Sequence, residues 1–258
     1  MTAAVPQIAE LCAPLSWRTV DFISDLHLHA SEPAPFEVWQ NYMQTTPADA
    51  VFILGDLFEV WVGDDAVGSA HPGFEDACVK VLAQTGERLP IFFMHGNRDF
   101  LIGQDMMALG KTTLLQDPTT LVFNQQRWLL SHGDALCLGD VDYMLFRKEV
   151  RSPKWQQDFL ARPLAERQAI ATALRMQSEA RKQTGMVYAD VDAACARTWL
   201  LAADAEVLIH GHTHKPAAHD LGGGLSRIVL SDWDAAAQHR RAEVLRLSAL
   251  GLQRTALS

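Results

Sequence analysis

Apolar residues fall along this chain in short continuous runs, and five of those runs end in polar groups of similar chemistry. Trp17–Ile23 leads into Ser24-Asp25-Leu26-His27, and Ala50–Leu54 leads into Gly55-Asp56. Pro90–Met94 is followed by His95-Gly96-Asn97-Arg98-Asp99, and Trp128–Leu130 by Ser131-His132-Gly133-Asp134. Glu206–Ile209 opens onto His210-Gly211-His212-Thr213-His214. Continuous rather than alternating runs of this length predict strands covered on both faces. A further run, Arg227–Leu230, leads to Ser231-Asp232-Trp233. Amphipathic stretches over Phe36–Thr45 and Phe74–Gln84 predict helices between the strands. Such alternation predicts an α/β sandwich whose ligands gather outside the strand ends. Gly55 permits the sharp turn that aims Asp56 outward. Asp25 and His27 are two residues apart, as are His212 and His214, so each pair is expected to aim one way on an extended backbone.

From Asp140 to about Asp190 no strand pattern survives and the composition turns helical. Between Arg147 and Lys182 there are nine basic and four acidic residues, a local +5. The rest of the chain carries 13 basic and 27 acidic residues, or −14. This predicts one domain over residues 1–258 with a helical cap inserted at about 140–190, lying over the strand ends. Its apolar members, Trp155, Phe159, Leu160, Leu164, Ile170, Leu174 and Met176, admit two readings: a surface for lipid beside positive charge, or packing against the core.

Composition narrows the field. A net charge of −9, from 22 basic and 31 acidic residues, argues against a general nucleic-acid binder. The first 20 residues lack the charged start and apolar core of a secretory signal, and no run is long enough to span a bilayer. Cys12, Cys78, Cys137 and Cys195 are scattered, which predicts reduced, mostly buried thiols in a cytoplasmic protein. Nothing in the chain points to an obligate protein partner.

The strand ends together supply Asp25, His27, Asp56, Asn97, His132, His212 and His214. Carboxylate, imidazole and amide donors without thiolate suit Mn²⁺ or Fe²⁺. Seven such groups exceed the usual needs of one ion, and two neighbouring ions require a bridge. Asp56, with two oxygens and a negative charge to offset cation repulsion, is the expected bridge. Taken singly, each residue has an ordinary alternative, as a helix cap, a turn residue or a satisfied core histidine. Their common strand–turn setting is what argues for a site. Asp99 and Asp134 are expected to orient ligands. His95 and His210 are expected to pack inside the strands, and His29 and His71 to lie in solvated loops.

The set Asp25-x-His27, Gly55-Asp56, Gly96-Asn97-Arg98-Asp99, His132-Gly133-Asp134 and Gly211-His212-Thr213-His214 resembles the calcineurin-like metallophosphoesterase family. The resemblance covers about Val20 to Trp233. It implies an α/β fold, a β-sandwich flanked by helices, with a dinuclear centre. One ion would take Asp25, His27, Asp56 and His214, and the other Asp56, Asn97, His132 and His212. Most members carry histidine where this chain has Arg98. With Gly55-Asp56-Leu57-Phe58-Glu59, Trp61, Gly63-Asp64-Asp65, Ile209-His210 and the helical insertion, the chain is similar to the branch that hydrolyses the pyrophosphate of a lipid-linked sugar nucleotide. That likeness implies two Mn²⁺ ions, a peripheral position on the cytoplasmic face of the inner membrane, and substrate contacts from Asn97, Arg98, Asp140 and His212. A serine, an asparagine and a lysine of the insertion take part in that branch. Here the stretch reads Gln177-Ser178-Glu179-Ala180-Arg181-Lys182, so Ser178 with Arg181 or Lys182 are the candidates. A guanidinium at 98 presents a planar fork of donors to phosphoryl oxygens. The rival functions are a phosphodiesterase or pyrophosphatase for a soluble nucleotide, and a non-catalytic scaffold.

Overall fold

The structure, a computed structural model, describes residues 5–68, 72–183, 189–234 and 241–257, with the side chains of the helix ending at Gln183 described as far as Met176. His71, and the side chains of Ser178, Arg181 and Lys182, lie outside the described residues.

Strands β1 (Ala9–Cys12) and β2 (Thr19–Ile23) precede helix α1 (Pro33–Thr45), β3 (Ala50–Ile53), α2 (Phe74–Gly86) and β4 (Ile91–Met94). After α3 (Gln104–Leu109) come β5 (Thr112–Leu115), β6 (Thr119–Phe123) and β7 (Gln126–Ser131). Helices α4 (Val141–Val150), α5 (Pro153–Leu160), α6 (Leu164–Gln183) and α7 (Ala193–Ala202) follow, with no strand between them among the described residues. The chain closes with β8 (Val207–His210), β9 (Ala217–Gly222), β10 (Leu225–Val229), β11 (Glu243–Ser248) and β12 (Gly251–Ala256).

The strands form two six-stranded sheets, ordered β1-β6-β7-β8-β10-β9 and β12-β11-β2-β3-β4-β5. In the second sheet β2 through β5 are parallel, and β7, β8 and β10 run parallel in the first. Successive side chains explain the continuous apolar runs. On β3, Ala50 and Phe52 face the opposing sheet, whereas Val51 and Ile53 face the helices. Phe92 and Met94 repeat that division against Ile91 and Phe93 on β4. On the other sheet, Leu130 and Ile209 point between the sheets, and Leu129 and Leu208 pack under α7. The order is therefore helix, sheet, sheet, helix. Each large apolar side chain so buried contributes on the order of 1.5–3 kcal/mol, enough to fix both sheets and the direction of the ends that leave them.

Local signals set the helices of the 140–190 segment. The Asp140 side chain caps α4 by accepting from the Tyr143 N–H at 3.0 Å, and Ser152 caps α5 just before Pro153. Phe159 is buried in the helix-side core, with Trp155, Leu164 and Ile170 packed against it. Arg167 on α6 is 2 % exposed and donates to the Val62 carbonyl and the Asp65 carboxylate. Leu160, Leu174 and Met176 remain exposed. Core packing thus accounts for Trp155, Phe159, Leu164 and Ile170, and leaves the other three on the surface. The missed strands β1, β5, β6, β9, β11 and β12 include all four sheet edges, where one flank is open and burial alternates or lapses.

Candidate metal centre and cleft

Parallel pairing continues past the ends of β2 and β3, and that continuation presents the first ligand candidates. Asp25 N–H donates to the Gly55 carbonyl at 3.1 Å, and His27 N–H to the Asp56 carbonyl at 3.1 Å. The turn at Gly55 has φ +90, and a Cβ there would come within 2.6 Å of the Gly96 Cα. A Cβ at Gly96 would in turn strike Asp56. Two glycines therefore let the loops after β3 and β4 touch at the centre.

The backbone there differs from the extended form expected at the paired ligands. Asp25, His27, Asp56, His212 and His214 all have left-handed backbones, with φ of 55, 50, 55, 65 and 53. The Thr213 N–H returns to the Gly211 carbonyl at 2.8 Å, and the Gly211 N–H is fixed to the His132 carbonyl at 3.0 Å. Turned backbone, not strand alternation, aims His212 and His214. A non-glycine residue held in this region costs on the order of 1–3 kcal/mol, and five of them cluster in one place.

All seven predicted groups converge. The ligand atoms of Asp25, His27 and His214 lie within 4.8 Å of one another, as do those of Asp25, Asp56 and His132. Asn97 Oδ1 is 3.0 Å from His132 Nε2 and 2.7 Å from His212 Nδ1. The His27 and His214 Nε2 atoms are 3.3 Å apart. These contacts test whether cations fit. His132 Nδ1 lies 2.9 Å from the Leu54 carbonyl, which needs the proton on that nitrogen. That leaves Nε2, facing the Asn97 Oδ1, as the position that takes either a second proton or a cation. The donor set fits a divalent pair.

The electrostatics of the protein groups alone agree. Burial works against the Asp25 carboxylate, yet His214, His132 and His27 hold its pKa far below the usual range. Burial pushes Asp56 up against the pull of His132 and Arg98. Burial and the charge of Asp56 push Asp99 up to about 6. Burial opposes a charge on His132, but Asp56, Asp25 and Asp134 push it up to about 9. Burial and His132 push His212 down to about 3. Four buried carboxylates in one place call for added positive charge.

Asp99 and Asp134 orient their surroundings. Asp99 accepts from the Gly96 N–H at 2.8 Å and the Leu57 N–H at 2.8 Å, clamping the two glycine loops. Asp134 accepts from Tyr143 Oη at 2.7 Å and Arg147 Nε at 2.8 Å, both on α4. His95 bonds the Ile102 carbonyl, and His210 bonds the Gly211 carbonyl and faces Arg227. His29 is exposed and bonds Ser31.

Beside the centre opens a cleft of about 410 Å³, walled on one side by the loops after β3 and β4 and on the other by α4, α5 and α6. Asn97, Arg98 and Asp140 line it together with Trp61, Phe100, Trp155, Phe159 and Leu174. Trp155 stacks on Phe159 with ring centres 4.7 Å apart. Arg98 Nε lies 3.7 Å from Asp56 Oδ2, and its Nη1 is paired with Glu59. Sequence reasoning did not assign Glu59, Tyr143 or Arg175. Tyr143 stacks on His212 at 5.8 Å, and Arg175 Nη1 lies 2.6 Å from Glu59 Oε1. Glu59 stood in a quoted motif, but the partners that give it meaning are far away in sequence.

Comparison with known proteins gives consistent relatives. The model of the calcineurin-like phosphoesterase family matches residues 18–216. The chain is 45 % identical over 221 residues to the UDP-2,3-diacylglucosamine hydrolase of Chromobacterium violaceum, covering 83 % of this chain and 90 % of that protein. It is 42 % identical over 221 residues to the protein so named in Chromohalobacter salexigens, covering 83 % and 89 %. With the corresponding protein of Stenotrophomonas maltophilia it shares 39 % identity over 251 residues, covering 90 % and 96 %.

Proposed function

Because the chain belongs to the calcineurin-like phosphoesterase family, we propose that it hydrolyses the pyrophosphate bond of UDP-2,3-diacylglucosamine to UMP and 2,3-diacylglucosamine 1-phosphate. The observation that carries this reading is that Asn97, within the ligand cluster, and Arg98, beside Asp56, both line an apolar cleft. A substrate joining a diphosphate to acyl chains needs such an adjacency, and each buried methylene contributes about 0.8 kcal/mol.

Asp25, His27, Asp56 and His214 would hold one Mn²⁺ ion, and Asp56, Asn97, His132 and His212 a second. When bound, such a pair supplies Lewis acidity toward water and toward the phosphoryl oxygens. The chain's own groups do the rest. Asp56 would serve both ions, Asp99 and the Leu54 carbonyl fix the loop and the imidazole behind it, and Arg98 offers its guanidinium to developing phosphoryl charge. Asp140 faces the sugar nucleotide from the α4 cap. Ser178, with Arg181 or Lys182, remain the further candidates for contacting the substrate. The 140–190 segment serves as a cap within one 1–258 domain, its aromatic wall taking the acyl chains.

The cap also directs the protein to the cytoplasmic face of the inner membrane as a peripheral enzyme. Val141 and Leu145, one turn apart on α4, are 63 % and 64 % exposed beside the basic residues of the cap. No helix among the described residues is long and apolar enough to cross a membrane. Turnover of UDP-2,3-diacylglucosamine, UDP-glucose and a synthetic phosphodiester, each with Mn²⁺, tests the reading. The acylated sugar nucleotide is expected to be cleaved far faster than UDP-glucose, and equal rates on the two would defeat it.

A further inference from the structure

Glu59 is an acidic residue at the mouth of a cleft meant for a diphosphate, which is the wrong sign for a direct contact. Its surroundings explain it. The loop holding it is fixed by backbone bonds, Glu59 N–H to the Leu28 carbonyl at 3.1 Å and Trp61 N–H to the Arg98 carbonyl at 3.0 Å. The carboxylate is 7 % exposed. One oxygen, Oε1, takes both Arg98 Nη1 from the core and Arg175 Nη1 from α6, the latter at 2.6 Å. Two guanidinium groups so close repel each other, and a long arginine on the cap has many rotamers to lose. A carboxylate on a rigid loop offsets the repulsion and leaves the trio with a net +1, still attractive to an anion.

We propose that Glu59 is a positioning residue that holds Arg98 and Arg175 as a pair at the junction of core and cap, where they receive the substrate's diphosphate. This rests on the function proposed above and names the residue that joins cap to centre. Arg175 then acts mainly on binding, and Arg98 on both binding and turnover.

The test is a double-variant cycle on the full chain loaded with Mn²⁺, using Glu59→Gln and Arg175→Gln. Glu59→Gln keeps the size of the side chain and removes its charge. It is expected to lower kcat/KM by roughly 10- to 100-fold, with bound Mn²⁺ unchanged. In the Arg175→Gln background, Glu59→Gln is expected to raise KM by a clearly smaller factor than in the wild type, the remaining loss coming through Arg98. KM losses that simply multiply overturn the coupling. Loss of Mn²⁺ from Glu59→Gln also overturns it and assigns the residue to His27, whose Nδ1 is 3.5 Å from Oε2. If Glu59→Gln fails to fold, Glu59→Asp replaces it: the charge remains but falls one methylene short, so full activity there defeats the proposal. Calorimetric Kd values for UMP on the same variants separate this inference from the function. A wild type inert toward UDP-2,3-diacylglucosamine sinks the substrate reading, whereas an unchanged UMP Kd in Glu59→Gln sinks the positioning role.

Discussion

Two aspartates four residues apart, both without solvent exposure, show what distinguishes a structural carboxylate from one poised for chemistry. Asp21 lies within β2 and is surrounded by donors. Tyr42 Oη and Thr46 Oγ1 each reach Oδ2 at 2.9 Å, and Arg246 grips both oxygens at 2.7 and 2.8 Å. Asp25 lies just past the end of the same strand. It accepts from Ser24 Oγ at 2.5 Å and the His212 N–H at 2.9 Å, yet its neighbours include Asp56 and the imidazoles of His27, His132 and His214. Asp21 has ordinary backbone within a strand, whereas Asp25 is left-handed. Burial is the same in both, so burial is not what marks a site. The mark is a buried acceptor facing other acceptors on backbone that costs energy to hold.

The largest expected effect breaks the reactive side of this comparison. Asp56→Ala removes the carboxylate proposed to serve both ions. Lewis acidity is worth several kcal/mol at the transition state, so kcat is expected to fall by a factor on the order of 10³ or more. Bound Mn²⁺, measured by elemental analysis, should fall with it. The metal-stripped variant, by contrast, should unfold in urea within about 1 kcal/mol of the metal-stripped wild type, because burial already penalises this carboxylate. Near-normal turnover at normal Mn²⁺ content is the result that excludes the bridge.

Asp21→Ala is the mirror experiment. Leaving Arg246, Tyr42 and Thr46 without their acceptor is expected to cost about 3–5 kcal/mol of stability, read by urea unfolding. The kcat of the folded fraction should hold at the wild-type level. A large fall in kcat at intact stability would erase the distinction between the two aspartates.

Next in size is Arg98→Ala, which leaves every proposed ligand in place. A lost charged donor at developing charge costs about 2.7–4 kcal/mol, a factor on the order of 10²–10³. The fall should appear in kcat/KM for the acylated sugar nucleotide with Mn²⁺ content retained. Arg98→His should recover little, since one ring cannot offer a two-pronged contact. Metal loss in Arg98→Ala would make the guanidinium a support for Asp56, which it approaches at 3.7 Å.

The same contrast explains what could be read from the chain. Strand-end ligands were legible because each follows a doubly covered strand, and that burial writes a continuous apolar run directly before them. The central strands were legible for the same reason, and the sandwich followed. Asp21 carried no local signal: its partners come from α1 and from Arg246, 225 positions away. Glu59 was visible only as part of a motif, because Arg98 and Arg175 meet it through tertiary packing. The edge strand β9 exposes alternate residues and β12 buries none of its residues fully, so their composition resembles loops. The turned backbone at His212 and His214 was misread as extended. Spacing alone cannot distinguish two side chains aligned by strand alternation from two aligned by a turn.

A third aspartate refines the comparison at the smallest scale. Asp190 leads into α7 and pairs with Arg227 through two bonds, at 3.1 and 2.8 Å, so it is satisfied as Asp21 is, but 42 % exposed. Partial burial works against its charge, while the Arg227 bonds and the Val191 N–H hold its pKa below the ordinary value. A carboxylate whose folded pKa is depressed contributes stability above its unfolded pKa, near 3.9. That contribution is lost as pH falls through the folded value. Solvent screening keeps it small, so Asp190→Asn is expected to cost about 1 kcal/mol or less at pH 7. The gap between wild type and variant in urea unfolding should stay level from pH 7 to about 5 and close as pH drops below about 4. Added salt should narrow it further. Turnover should be untouched, because among the described residues Asp190 reaches toward the centre through Arg227 and the far side of His210. If the gap widened in acid, or if kcat fell with it, satisfaction by a cation would no longer separate structural carboxylates from reactive ones in this fold.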